Sequence, residues 1–180
     1  MSRTERSLRA GPLPEVDPAA PSSYGGPSGF CWLIRGWLAG AARPGIVTPL
    51  EEDLAALRRQ GADVLVTLTK EWLPPVQAIA QAGMESRYMP ITDMAAPTVA
   101  EAVAMCREVA SDIAAGKRVV YQCKAGRGRT GTMLAAQLIW HGEAWREAIV
   151  HARHRNPLWI ESEAQLRFLE EFANEIDHLA

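Results

Sequence analysis

Val119-Val120-Tyr121-Gln122-Cys123-Lys124-Ala125-Gly126-Arg127-Gly128-Arg129-Thr130-Gly131-Thr132 is the stretch that decides how this chain is read. An apolar run ends at a cysteine and a glycine-rich basic loop follows it. A helical pattern, Met133 to Trp140, begins directly afterwards. Strand, loop and helix N-terminus in that order make an anion cradle, because unpaired backbone N–H groups and the positive end of the helix dipole converge there. A thiol opens the cradle and an arginine closes it, so the stretch predicts a nucleophile aimed at an anion, with phosphate the natural candidate.

The flanking sequence alternates strand and helix patterns. Phe30–Ile34 and Trp37–Ala39, around Arg35-Gly36, read as a hairpin or bent strand. Thr48-Pro49-Leu50-Glu51 reads as a helix start with Thr48 as N-cap, and Leu50, Leu54 and Leu57 give that helix an apolar face ending at Gly61. Val64–Leu68 is a continuous β-branched and apolar run, as expected of a strand buried on both faces. A short helix from Val76 to Ala82 and a short strand from Ser86 to Ile91 follow. Thr98 and Glu101 form a capping box for a helix that buries Val99, Val103, Cys106, Ala110 and Ile113. Beyond Gly142 the patterns are helical only, Glu143–His154 and Ser162–Leu179. The predicted fold is α/β: a central, mostly parallel sheet with helices on both faces, and the basic loop between a central strand and a helix. Residues 1–28, rich in Pro, Ser, Gly and Arg, read as a flexible leader whose Arg3, Arg6 and Arg9 are solvated. Residues 29–180 read as a single domain.

Composition excludes several classes. A formal net charge of -2 supplies no bulk field for nucleic acid or anionic membrane, so anion binding must be local. The chain has 3 cysteines, Cys31, Cys106 and Cys123, without regular spacing. That argues against a disulfide framework and for a reducing, cytoplasmic setting. No Cys-x-x-Cys pair exists, which argues against zinc; no cofactor is expected. No stretch approaches the roughly 18 apolar residues of a membrane span. A monomer is expected. His151 and His154 fall among arginines and read as a solvated face.

The loop carries the chemistry. A thiol at a helix N-terminus beside cations is turned toward thiolate, and Lys124, Arg127 and Arg129 supply the cations. Gly126, Gly128 and Gly131 let the backbone curl so that its N–H groups face an anion. Arg129 follows Cys123 with 5 residues between. Its guanidinium can hold two phosphoryl oxygens while the thiolate attacks phosphorus. The residues from Lys124 to Arg129, Ala125 included, are the predicted phosphate-binding set.

Cys-x5-Arg-Thr resembles the signature of the cysteine-dependent protein tyrosine phosphatase superfamily. Cys123 to Gly131 is similar to the loops of its compact dual-specificity branch, especially the cell-cycle phosphatases and the phosphoinositide 3-phosphatase tumour suppressor. The resemblance implies a phosphocysteine intermediate without metal. It implies an aspartic general acid on a separate loop, and Asp93, 30 residues before Cys123, matches that position, with Glu71 as the runner-up. It implies that Thr130 stabilises the departing cysteine sulfur. It further implies that Gln165 positions the hydrolytic water, although Ser162-x-x-Gln165 is also a capping box. The family carries His before the cysteine where this chain has Gln122, which places the activation of the thiol in question. The implied substrates are phosphotyrosine, phosphoserine and phosphothreonine in proteins, since no phosphotyrosine-recognition loop is evident and the domain is small. Lys124 and Arg127 point alternatively to a phosphoinositide or another polyphosphorylated small molecule.

Two further readings compete. Gly126 to Gly131 also matches Gly-x-Gly-x-x-Gly, but a dinucleotide site requires a later strand ending in an acid, and Trp145–Arg155 is helical. A catalytically inactive phospho-binding module is the alternative from another class, although Cys123, Arg129 and Asp93 are all present.

Overall fold

A computed structural model describes residues 9–15 and 26–179. Two strands, β1 (Cys31–Ile34) and β2 (Leu38–Ala42), precede α1 (Leu50–Arg59) and β3 (Val64–Thr69). Next come α2 (Val76–Gln81), β4 (Glu85–Ile91), α3 (Val99–Ala114) and β5 (Val119–Cys123). The chain closes with α4 (Gly128–Trp140), α5 (Trp145–Arg155) and α6 (Glu163–Leu179). The sheet order is β1-β2-β5-β3-β4. β1 pairs antiparallel with β2, whereas β2, β5, β3 and β4 run parallel. This is the mostly parallel α/β sheet that the alternating patterns predict.

Burial explains the layering. Val64, Val66, Leu68, Val119 and Tyr121 point into one core with α3, α4, α5 and α6. Leu65, Val120, Ala39 and Ala41 point to the other face, against Leu54 and Leu57 of α1 and Ile79 of α2. A strand apolar on both faces thus needs helices on both faces. β5 lies between β2 and β3, so its C-terminal end falls in the middle of the edge where all four parallel strands finish. The loops after these strands therefore gather around Cys123.

Two local expectations change. Thr48 does not cap α1; Pro49 is the N-cap residue and no side-chain bond is made there. The Thr98–Glu101 box, by contrast, makes both of its bonds. Part of the expected leader is docked. Ala10 and Leu13 pack on the core, the Trp37 indole N–H donates to Glu15 O at 2.6 Å, and Arg9 pairs with Asp177. His141 Nδ1 donates to Gly11 O at 2.7 Å. Arg3 and Arg6 lie outside the described residues.

Candidate active site

Cys123 ends β5, buried, with the loop curling away from it into α4. Gly126 makes the curl possible. Its φ is +68°, and a Cβ there would lie 2.5 Å from Ala41 C and Ala42 N of the neighbouring strand. The Trp159 indole N–H donates to Gly126 O at 3.0 Å and holds that carbonyl. A Cβ on Gly131 would lie 2.4 Å from Trp159 Cβ, so the loop and the α5–α6 connection fit closely.

Arg129 is 2% exposed. Its Nη1 and Nη2 donate to the two carboxylate oxygens of Glu71, both at 2.8 Å. Nη1 also donates to Ile91 O at 3.0 Å, and Nη2 lies 3.1 Å from Asp93 Oδ1. The fork is thereby fixed in plane from three directions. The bond from Arg129 holds the Glu71 carboxyl down to about 2. Both oxygens of that carboxylate accept from the Arg129 fork, so neither is free to carry a proton to a leaving group, which corrects its place as runner-up general acid. Glu71 is the clamp of Arg129 instead.

Asp93 is 70% exposed, on the β4–α3 loop. This loop contains Met94 at φ +60°, an uncommon conformation for a side-chain-bearing residue. It is tied to the start of α6: Ser162 Oγ donates to Met94 O at 2.7 Å and Gln165 Nε2 to Ala95 O at 3.3 Å. Gln165 is buried, and the Ser162–Gln165 capping box is realised, with Gln165 N donating to Ser162 Oγ and Ser162 N to Gln165 Oε1. The same Oε1 accepts from Glu161 N at 2.8 Å. Gln165 thus joins α6, the Asp93 loop and the neighbourhood of Gly128.

Thr130 is buried beside the loop, and its Oγ1 has no hydrogen-bond partner among the described residues. Gln122 is also buried, its Nε2 donating to Thr67 Oγ1 at 2.8 Å on the adjacent strand. A neutral amide here links β5 to β3 without placing a charge in the sheet. Lys124 and Arg127 are exposed on the rim. With Arg43, Ile46, Val47 and Asp53 they line a cavity of about 360 Å³ beside the loop. Arg43 stacks over Trp72 with its guanidinium 4.9 Å from the ring centre. A larger cavity of about 520 Å³, between α1 and α2, is lined by Leu54, Arg58 and Ala78 and holds no nucleophile.

The other thiols differ in kind. Burial pushes the Cys106 thiol well above its ordinary value, as its core position predicts, and raises Cys31 too. Two residues at the site carry no sequence motif: Trp159, and Glu161, whose Oε2 accepts from Gly128 N at 3.0 Å.

The chain is 28% identical over 129 residues to a phosphatidylglycerophosphate phosphatase, PTPMT2, of Arabidopsis thaliana, across 69% of this chain. It spans 57% of the length of that relative. The crystal structure of Tk-PTP in its active form superposes with a TM-score of 0.73 at 27% identity, covering 82% of this chain and 97% of that one. The crystal structure of PTPMT1 gives 0.71 at 25% identity, over 83% and 96%. The family model described as Tc-R-P, polymorphic toxin system, DSP-PTPase phosphatase, matches residues 39–143, the span from β2 through the cysteine loop and α4. The chain belongs to that family, a cysteine-based phosphatase of the protein tyrosine and dual-specificity superfamily.

Proposed function

We propose that the chain hydrolyses the phosphomonoester of an anionic small molecule or lipid head group, ahead of phosphoproteins. The observation that carries this reading is the cavity bordering the loop. It combines three cations, Arg43, Lys124 and Arg127, with two exposed aliphatic side chains, Ile46 and Val47. The carboxylate among its described lining residues, Asp53, accepts from Gly45 N at 2.9 Å. A substrate with a second anionic group and apolar substance fits such a lining. The name of the plant relative, a phosphatidylglycerophosphate phosphatase, supports the same class.

The proposed mechanism uses the residues as follows. Cys123 as thiolate attacks phosphorus while the N–H groups of residues 124–129 and the Arg129 fork take the equatorial oxygens. Asp93 gives its proton to the leaving oxygen, and the S–P bond forms as the P–O bond breaks. Water then attacks the phosphocysteine, Asp93 takes back a proton, and sulfur leaves as thiolate, assisted by the Thr130 hydroxyl. To Gln165 we assign the orientation of that water, the role the family resemblance implies. A reducing, cytoplasmic setting is proposed with it, since Cys123 must stay reduced.

The test is a panel run in EDTA: phosphatidylglycerophosphate, phosphoinositide head groups, phosphotyrosine peptide and phosphothreonine peptide. Higher kcat/KM on the first two is expected, with turnover abolished in Cys123→Ser. A preference for the peptides would overturn the substrate class and favour the second reading, protein dual specificity, for which the exposure of Asp93 speaks. Binding without turnover in the wild type would overturn the enzyme reading.

A further inference from the structure

Glu161 has no part in the chemistry above, yet its carboxylate reaches the loop. Gly128 is the first residue of α4, so its N–H has no acceptor within the helix and points out of the end that the helix dipole makes favourable to an anion. Glu161 Oε2 accepts that N–H at 3.0 Å. The fit is close, since a Cβ on Gly128 would lie 2.8 Å from the same oxygen.

The backbone aims this carboxylate at a cost. Ile160, directly before it, is buried and has φ +64°. A β-branched residue in the left-handed region is a genuine outlier. Strain of this kind persists only where its surroundings over-determine it. Here they do: Arg153 Nη2 donates to Ile160 O at 2.7 Å and its Nε to Trp159 O at 3.3 Å. Trp159 is in turn bonded to Gly126 O, inside the loop itself. From behind, Gln165 Oε1 accepts the Glu161 N–H. The connection from Trp159 to Ser162 is thus built to hold an acid against the amide of Gly128.

We propose that Glu161 is an internal anion of the phosphate cradle. Its carboxylate holds the Gly128 amide between turnovers, and an incoming phosphoryl group takes that amide by displacing it. Glu161 is therefore a specificity-determining residue. It discriminates against anions too weakly held to displace a carboxylate, and its return helps expel product phosphate. The proposal rests on the loop being a phosphate site, and not on which phosphomonoester is hydrolysed.

A purely architectural role predicts the opposite sign. If Glu161 only props the loop, removing its charge loosens the cradle and weakens anion binding. If it competes, removing its charge strengthens binding. The experiment is calorimetric titration of tungstate into full-length wild type, Glu161→Gln and Glu161→Ala, with inorganic phosphate as product inhibitor in parallel. Both variants are expected to bind tungstate about 3- to 10-fold more tightly, the scale of one like-charge contact in a solvent-exposed site. The inhibition constant of phosphate and the KM for p-nitrophenyl phosphate fall with it, while kcat does not rise. Glu161→Asp keeps the charge on a shorter stem and is expected to lie between. Unchanged or weaker tungstate binding in Glu161→Gln, with the thermal transition of the wild type retained, overturns the proposal. Tungstate binding to none of the proteins overturns both it and the phosphate site. A peptide preference in the substrate panel overturns only the substrate class and leaves this result standing.

Discussion

Glu71→Ala removes the clamp from an arginine that is 2% exposed. Arg129 keeps Ile91 O and Asp93 but loses both bonds of its fork to Glu71. The Glu71 carboxyl lies at about 2 in the folded protein against an ordinary 4.5, and the bond from Arg129 is the first cause. Taken whole, that shift is worth about 3 kcal/mol. Glu71 is 43% exposed, however, and solvent screens the pair. The expected loss is therefore about 1–2 kcal/mol, or about 2–8 °C in Tm for a domain of this size. The sign with pH follows from the lowered value. Between about 4.5 and about 2 the unfolded state binds more protons than the folded state. The stabilisation is complete above about pH 4.5 and is lost as pH falls toward 2, so the Tm gap between wild type and variant closes on acidification. Activity suffers separately. A guanidinium no longer held in plane is misplaced by a fraction of an ångström to an ångström, which lowers kcat/KM by about 10- to 100-fold. The assay pairs thermal unfolding between pH 3 and 8 with kcat/KM on p-nitrophenyl phosphate and on an alkyl phosphate. Because Glu71 donates no proton, both substrates should lose equally. A loss concentrated on the alkyl phosphate would refute the clamp and restore Glu71 as an acid, and wild-type activity and Tm in Glu71→Ala would refute it outright.

Asp93→Asn is expected to show the pattern that Glu71→Ala should not, a kcat loss of about 100-fold or more on an alkyl phosphate and a smaller one on p-nitrophenyl phosphate; equal losses would remove Asp93 from the proton transfer. Gly126→Ala places a Cβ 2.5 Å from the β2 backbone at φ +68°, and should lower Tm by several degrees, at about 1–3 kcal/mol of strain, and impair turnover; an unchanged Tm would show that β2 yields freely. Burial lowers His141 below its ordinary value despite its bond to Gly11 O, so the folded state resists its protonation. Its contribution is present above about pH 6.5 and lost as pH falls. The protection factors of the amides in residues 9–15, taken against the intrinsic exchange rate at each pH, should therefore fall from pH 7.5 to 5.5, and protection indifferent to pH would separate His141 from the docking.

The sequence made the strand, loop and helix legible because everything that defines them is local. The apolar run before Cys123, the glycines and the position of Arg129 lie within one short stretch, and the Thr98–Glu101 box spans a single helical turn. Thr48 misled because Pro49, at φ -51° and ψ 142°, takes the cap position itself. The clamp was harder to read. Glu71 and Arg129 are 58 residues apart, and no spacing encodes their meeting. It arises because β3 and β5 are neighbours that end at one edge. Glu161 was hidden for another reason. Trp-Ile-Glu-Ser before a helical run looks like an ordinary helix start, and only the left-handed Ile160 turns the acid toward the loop. The docking of residues 9–15 rests mainly on backbone carbonyls, Gly11 O and Glu15 O, which no side-chain pattern reports.

The strand order also arranges charge. β5 has β2 on one side and β3, then β4, on the other. The loop after β2 brings Arg43, and the loop after β5 brings Lys124 and Arg127. The loops after β3 and β4 bring Glu71 and Asp93, both turned to Arg129. A phosphomonoester in the cradle therefore meets cations toward β2 and carboxylates toward β4. In the proposed mechanism its leaving oxygen faces Asp93 for protonation, and any second anionic group is repelled from that side. The rest of such a substrate is then drawn over Lys124 and Arg127 toward the cavity beside Ile46 and Val47. Orientation of this kind needs no deep pocket, because opposite charges on the two flanks of one strand define the direction. Reversing the basic flank with Lys124→Glu should consequently raise KM for a substrate with two anionic groups more than for phenyl phosphate. An equal rise for both would mean that Lys124 serves the phosphoryl group alone and that the polarity of the flanks does not orient the substrate.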